Sequence, residues 1–487
     1  MLARTVTHAL VGLDPRRVEV EAHLQSGVPA FSIVGLADRA CQEAKERVRS
    51  GIASAELEWP ARRRITVNLA PAGLRKEGSG FDLPIALAVL AASHQLPSGC
   101  LAGHAAVGEL ALDGRLRPVP GALAAAEGAR SAGLDRLVCP AQSGPEVALA
   151  GVQPVPVHHL AEAAAYFRDH REPAACPRAP DDGEAATAPD LANVRGQERA
   201  RRALEIAAAG GHNLLLAGPP GIGKTMLARR LPGILPPLDD EAALEVTRIH
   251  SVAGTRPPGS GLLRTPPFRA PHHTASAAAV VGGGAPPRVG EVTLAHRGVL
   301  LLDELPEFAR PVVEALRQPL EDGLVAVARV GGRATFPARF QLIGTMNLCP
   351  CGARGDASAE CTCSPQRLDR YRDRLSRALL DRFDLVIAVP RPRATDLAAE
   401  PGEESVRVRK RVVAARERLA AATPGRTREA DDLLTRAVER VPLSGRGRAR
   451  VARVARTIAA LGGAERVLAE HLAEALAYRS PSELRIT

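Results

Sequence analysis

No stretch of eighteen or more uncharged apolar residues occurs in the chain, which excludes a membrane-spanning helix and leaves a membrane out of the expected partners. Aromatic residues make up only 2% of it, so a channel lined with stacking rings is not expected, and a polyanion would be held mainly through its backbone charge. Lysine is nearly missing. Only Lys45, Lys76, Lys224 and Lys410 occur, so the formal net charge of +10 rests almost wholly on arginine. The opening residues, MLARTVTHALVGLDP, hold no uninterrupted apolar core with a small-residue cleavage pattern behind it, and a cytoplasmic location is expected. Internal repeats and long low-complexity tracts are missing too. The eight cysteines do not make the spaced framework of a secreted disulfide protein: Cys41, Cys100, Cys139 and Cys176 are scattered, and four others crowd together late in the chain.

What is present is a soluble, globular composition, 45% hydrophobic and 24% charged, in 487 residues, too many for one comfortable core. Residues 173–189, PAACPRAPDDGEAATAP, lack any apolar period and read as a linker. Before it, strand-like VEVEAHL (18–24), FSIVGL (31–36) and RITVNLA (64–70) alternate with helical DLPIALAVLAAS (82–93), giving an α/β domain over 1–172. After it, LLLAG (214–218), VLLLDE (299–304) and FQLIGTMN (340–347) are the strands expected of a parallel sheet over 190–391. From 392 to 487 alanine, leucine and arginine at helical spacing predict a small helical domain. Residues 391–487 also hold 20 Lys plus Arg against 13 Asp plus Glu, which permits a polyanionic partner there.

Residues 218–225 read GPPGIGKT, a phosphate-binding loop between a strand and a helix. Gly218, Gly221 and Gly223 let bare backbone wrap a phosphate, and Pro219, Pro220 and Ile222 fill the turn between them. Lys224 can neutralise the outer phosphates, and the Thr225 hydroxyl can ligate Mg2+. Some eighty residues on, GVLLLDELPEF runs an apolar strand into two adjacent carboxylates. Neighbours on a strand point differently, so Asp303 can face the metal while Glu304 polarises the attacking water. Asn347, ending a third strand, can orient the same water. Arg382, in SRALLDRFDL, can reach the γ-phosphate held by an adjacent subunit, and a salt bridge with Asp381 or Asp384 is the plainer alternative.

Cys349, Cys351, Cys361 and Cys363 form two C-x-C pairs with nine residues between them. Four soft thiolates can enclose a structural zinc; unliganded thiols and a redox switch are the alternatives. His272 and His273 are not expected to ligate it.

The motifs FSIVGLADRA, RITVNLAPAGLRKEGSGFDLPIALAVLAA, NVRGQERARRALEIAAAGGHNLLLAGPPGIGKT, FRAPHHTASAAAVVGGG, LAHRGVLLLDELPEF and RVARVARTIAALGG, in that order, resemble the magnesium-chelatase-like AAA+ ATPases of the YifB/ComM family over nearly the whole chain. The resemblance implies a Lon-protease-like N-terminal domain of the ribosomal S5 domain 2 type, an AAA+ P-loop core with hairpin insertions, and a C-terminal helical lid. It makes Lys224 and Thr225 the Walker A pair, Asp303 and Glu304 the Walker B pair, Asn347 sensor 1 and Arg382 the trans-acting finger. It places sensor 2 early in the lid, at Arg446 or Arg450. It further implies ATP and Mg2+ as cofactors and a homo-hexamer that migrates DNA branches during recombination of incoming DNA in natural transformation. The arginines of the hairpin-like segment 327–339, Arg329, Arg333 and Arg339, can then contact phosphates in a central pore.

KEGSGFDLPIALAVLAA is similar to the Lon region that carries a nucleophilic serine, but the region matching the lysine partner has no lysine, so Ser79 is not expected to attack. Two other functions compete with a DNA motor. A chelatase motor would lack the Lon-like domain, and an ATP-switched scaffold would not need both Glu304 and Asn347.

Overall fold

The computed structural model describes residues 1–176, 188–285, 287–329, 332–356, 358–422, 424–440 and 444–479, so most of the expected linker, 177–187, lies outside the described residues. The chain forms two compact units, one of residues 1–183 and 240–263, the other of 184–239 and 264–487.

In the first unit β1 (Leu2–Val11), β2 (Asp14–Gln25), β3 (Ala30–Val34), β4 (Arg64–Ala70) and β5 (His104–Ala106) are followed by a small hairpin of β6 (Glu109–Leu110) and β7 (Leu116–Arg117), then β8 (Arg136–Pro140) and β9 (Gln153–Val157). All but the small hairpin join one mixed sheet in the order β3-β4-β2-β1-β5-β8-β9. The period-two pattern of RITVNLA places Ile65, Val67 and Leu69 in the core, while alternate residues lie nearer the surface. Helix Asp82–Ala92 is buried almost all round, because it packs on both β1 and β2. Helix Asp240–Val252 also belongs here: it packs on helix Ala122–Ser131, and Gly121 N donates to Ser251 O at 3.1 Å. A core domain running unbroken over 190–391 therefore misses an excursion of 24 residues, 240–263. Leu238 N bonds Arg264 O at 2.7 Å and closes its stem.

The second unit is built on a five-stranded parallel sheet of β10 (Leu214–Ala217), β11 (Phe268–Arg269), β12 (Val299–Leu302), β15 (Gln341–Met346) and β16 (Leu385–Ala388), ordered β11-β12-β15-β10-β16. Every residue of β10, β12 and β15 is buried, as continuous apolar runs require when helices cover both faces. A separate hairpin of β13 (Leu324–Arg329) and β14 (Gly332–Pro337) occupies the segment read as hairpin-like; Phe336 is fully buried and Arg333 is exposed. The tip residues 330–331 and the Arg329 side chain lie outside the described set. The lid helices Ser405–Ala421 and Gly445–Leu461 share one hydrophobic cluster with helix Glu198–Gly210 and the sheet, through Val408, Val412, Val451 and Ile458. The composition change near 392 thus marks a new layer on the same core.

Candidate functional site

The register of the parallel sheet assembles the site. Ala217 of β10 lies beside Met346 of β15, and Leu302 of β12 beside Gly344. The residues that follow these strands, Gly218, Asp303 and Asn347, therefore emerge at one end of three adjacent strands, where open parallel sheets form their ligand crevice. Gly218 N donates to Met346 O at 3.1 Å.

The loop GPPGIGKT joins β10 to the short helix Lys224–Ala228. Gly221 and Gly223 have φ of 75° and 93°, a left-handed backbone that glycine adopts without strain. Ile222 is buried and anchors the loop, and Gln197 Nε2 donates to its carbonyl at 2.8 Å. Pro219 is buried and Pro220 exposed. Lys224 is buried, and its Nζ donates to Gly218 O at 2.8 Å, Pro219 O at 2.7 Å and Asn347 Oδ1 at 3.0 Å. Burial lowers its pKa, and the charges of Asp303 and Glu304 oppose that shift. Three oxygen acceptors around one ammonium suit a group that can turn to phosphate oxygens.

Thr225 Oγ1 donates to Asp303 at 2.8 and 3.0 Å from its two oxygens. A hydroxyl and a carboxylate so placed can share a hard cation such as Mg2+. Thr345 Oγ1 donates to Asp303 Oδ1 at 2.5 Å and accepts from Glu304 N at 2.9 Å, so one strand threonine orders both carboxylate residues. Glu304 has φ of 55° and is exposed at the strand end, where its carboxylate can meet water.

Arg382 and Arg446 are placed elsewhere. Arg382 is 6% exposed, and its guanidinium bonds Ala378 O and Glu321; Asp381 pairs with Arg479 and Asp384 with Arg453. Arg446, 74% exposed, lies 3.6 Å from the same Glu321. Arg450 lies 3.7 Å from Asp384. Arg382 and Arg446 thus rest on one carboxylate, Glu321, and the alternative sensor Arg450 on another, Asp384.

The four late cysteines converge: the Sγ atoms of Cys349, Cys351, Cys361 and Cys363 lie within 4.8 Å of one another. Cys349 and Cys351 are 3.3 Å apart, Cys351 and Cys361 3.7 Å, and Arg354 N donates to Cys349 Sγ at 3.2 Å. Tetrahedral zinc with bonds of about 2.3 Å has sulfur–sulfur edges of about 3.8 Å, so the set fits that ion. The backbone N–H of Ala353, with hydrogen bonds from the neighbouring thiols, lowers the Cys351 thiol to about 6, while burial pushes Cys349 up to about 11. A Cβ on Gly352 would come within 2.9 Å of Pro220 Cδ, so this loop lies against the phosphate-binding loop. His272 and His273 stack on one another at 4.1 Å, outside the cluster.

Three family models match the chain: magnesium chelatase subunit ChlI over 190–397, subunit ChlI of Mg-chelatase over 20–143, and the ChlI C-terminal region over 402–479. The uncharacterized protein YifB of Salmonella typhimurium is 43% identical over 502 residues, covering 100% of this chain and 98% of its own length. YifB of Escherichia coli is 42% identical, covering 99% and 97%, and competence protein ComM of Haemophilus influenzae 41%, covering 98% and 97%. The chain belongs to the YifB/ComM family of magnesium-chelatase-like proteins. Membership implies use of a nucleotide with Mg2+ and points to an ATPase, which the loop and strand-end carboxylates fit.

In this YifB/ComM chain the Lon-like serine meets a carboxylate: among the described residues Ser79 Oγ bonds Glu109, and Lys76, fully buried, donates to Pro71 O. Sequence reasoning missed Gln197, Thr345 and Glu321. Each is an ordinary residue of its element, and only sheet register and helix packing bring Gln197 and Thr345 to the site and Glu321 to the two arginines.

Proposed function

We propose that this protein is an ATP-hydrolysing AAA+ motor that works as a homo-hexamer in the cytoplasm and drives movement or branch migration of DNA, as in recombination of incoming DNA. The observation that carries the ATPase reading is the joint placement of Lys224 against Asn347 and of Thr225 against Asp303 at the ends of adjacent parallel strands. Lys224 holds the outer phosphates on the Gly218–Thr225 loop, Thr225 and Asp303 hold Mg2+, Glu304 takes the proton from water, and Asn347 orients that water. Arg382 acts on the neighbouring subunit's γ-phosphate and Arg446 on its own, each after leaving Glu321. The four cysteines would hold a zinc ion that braces the loop joining Asn347 to the helix before Arg382. The competence protein relative and the basic C-terminal region support DNA as partner.

Phosphate release by purified protein, measured with a four-way junction, a fork, linear duplex and no DNA at two salt concentrations, tests the reading. Stimulation greatest with branched DNA, and weaker in high salt, is expected. ATP turnover indifferent to every DNA would remove the DNA motor and favour a remodelling motor of the chelatase kind.

A further inference from the structure

The first unit carries an aromatic and basic cleft that the nucleotide site does not use. The chain's single tryptophan, Trp59, sits beside Phe31, with ring centroids 5.3 Å apart at 54°. Both rings are half-buried and pack against the core of the unit, and both also line an open cleft of about 280 Å3 with Lys45, Glu46, Arg49 and Arg63. The turn that presents them is tied down: Ala61 N bonds Trp59 O at 2.7 Å and Arg63 N bonds Pro60 O at 3.1 Å. Arg63 Nη1 is aimed by Ser26 Oγ at 3.0 Å. The cleft lies at the edge of the sheet, where β3 pairs on one side only.

Its charge is unbalanced. Residues 45–64 include six Lys or Arg and three Glu. Arg47 is held by the buried Asp82, whereas Lys45, Arg49, Arg62, Arg63 and Arg64 make no salt bridge among the described residues. Within the cleft, three cations face the single carboxylate of Glu46. A merely solvated arginine face needs no ring pair in a concavity, and this chain spends few aromatics anywhere. Rings and cations lining one cleft match the alternating base and phosphate of an unpaired strand. In a duplex the base faces are covered by stacking and cannot reach the rings.

We propose that this cleft binds single-stranded nucleic acid, with one base against Trp59 and Phe31 and the flanking phosphates on Lys45, Arg49 and Arg63. The proposal rests on the reading of DNA as partner and assigns the unpaired strand of a branched substrate to the N-terminal unit.

Because Trp59 is the only tryptophan, its fluorescence reports this cleft without a label. The full-length protein is titrated with oligo(dT) and with a blunt duplex at low and moderate salt. Saturable quenching by oligo(dT), weaker with duplex and weakened by salt, is expected. Arg49→Glu combined with Arg63→Glu should reduce oligo(dT) affinity at least tenfold and leave DNA-free ATP turnover unchanged. Trp59→Leu, read by anisotropy of a labelled oligonucleotide, should reduce it about five- to a hundredfold. Should Trp59→Leu fail to fold by circular dichroism, the exposed double arginine variant still decides. Oligonucleotide binding without any change in Trp59 emission, or equal quenching by duplex, overturns the cleft while leaving DNA as partner. Quenching by oligo(dT) with ATP turnover deaf to DNA upholds the cleft and removes the motor.

Discussion

Thr345 has the most demanding position among the small side chains of the site. Its hydroxyl donates to Asp303 and accepts from the backbone of Glu304, so one oxygen on a neighbouring strand holds the first carboxylate and the backbone of the second. Replacing it by valine keeps the shape and removes both bonds. Leaving those groups unmatched costs about 1–3 kcal/mol, so Thr345→Val should lower kcat/KM for ATP roughly 5- to 150-fold in a phosphate-release assay. Wild-type rates would show that the hydroxyl is dispensable. Glu304→Gln removes the proposed proton acceptor and leaves the phosphate grip intact. Turnover should fall about 100- to 10,000-fold while a fluorescent ATP analogue still binds. The glycines, Lys224 and the paired acids were legible in the sequence because the phosphate-binding loop and an apolar strand ending in two carboxylates leave few alternatives. Thr345 was not, since a threonine in a strand reads as a strand former and only register shows what it touches. The bonding of Arg382 and Arg446 to Glu321 was equally hidden: Glu321 sits in helix Arg317–Asp322, far in sequence from both arginines.

At the scale of elements, the C-x-C loop has little regular structure of its own, and its form follows from sulfur chemistry. Protein purified with a mild reductant should contain about one zinc per chain by elemental analysis, and Cys351→Ser combined with Cys361→Ser should lose it. Metal-free wild-type protein would leave the cluster as four thiols. A second element-level device holds the lid to the sheet. Burial would raise the pKa of Asp384, yet the adjacent His212 and Arg453 outweigh it and hold the carboxyl at about 2, below its ordinary 3.8. A depressed folded pKa stabilises above the unfolded value and loses that contribution as pH falls through the folded one, here between about pH 4 and pH 2. The effect is about 2 kcal/mol. Denaturant midpoints of wild type and Asp384→Asn should therefore differ at pH 7 and converge below pH 4; a constant gap would assign the loss to packing. Helices and strands were readable from periodicity, but the fusion of lid and sheet into one core was not, because composition changes at 392 while contacts do not.

For the whole molecule, alternation of strands and helices revealed an α/β protein with a distinct N-terminal region, and the motifs revealed its family. What could not be read was the excursion at 240–263, since an amphipathic helix does not announce which core it will join. Leu244 packs against the hydrophobic cluster that includes Leu123 and Val147, and Arg248 approaches Glu127 at 3.4 Å. A fragment of residues 1–176 should consequently melt lower than one in which 240–263 is appended through a flexible tether. Equal melting temperatures by calorimetry would show that the helix adds nothing.

The polypeptide thus passes from one unit to the other at three points, near 183, 239 and 263. Gene shuffling that swaps a module at any single joint would strand a piece of at least one unit. The two units are in this sense sewn together, and descent is expected to carry them as an inseparable pair.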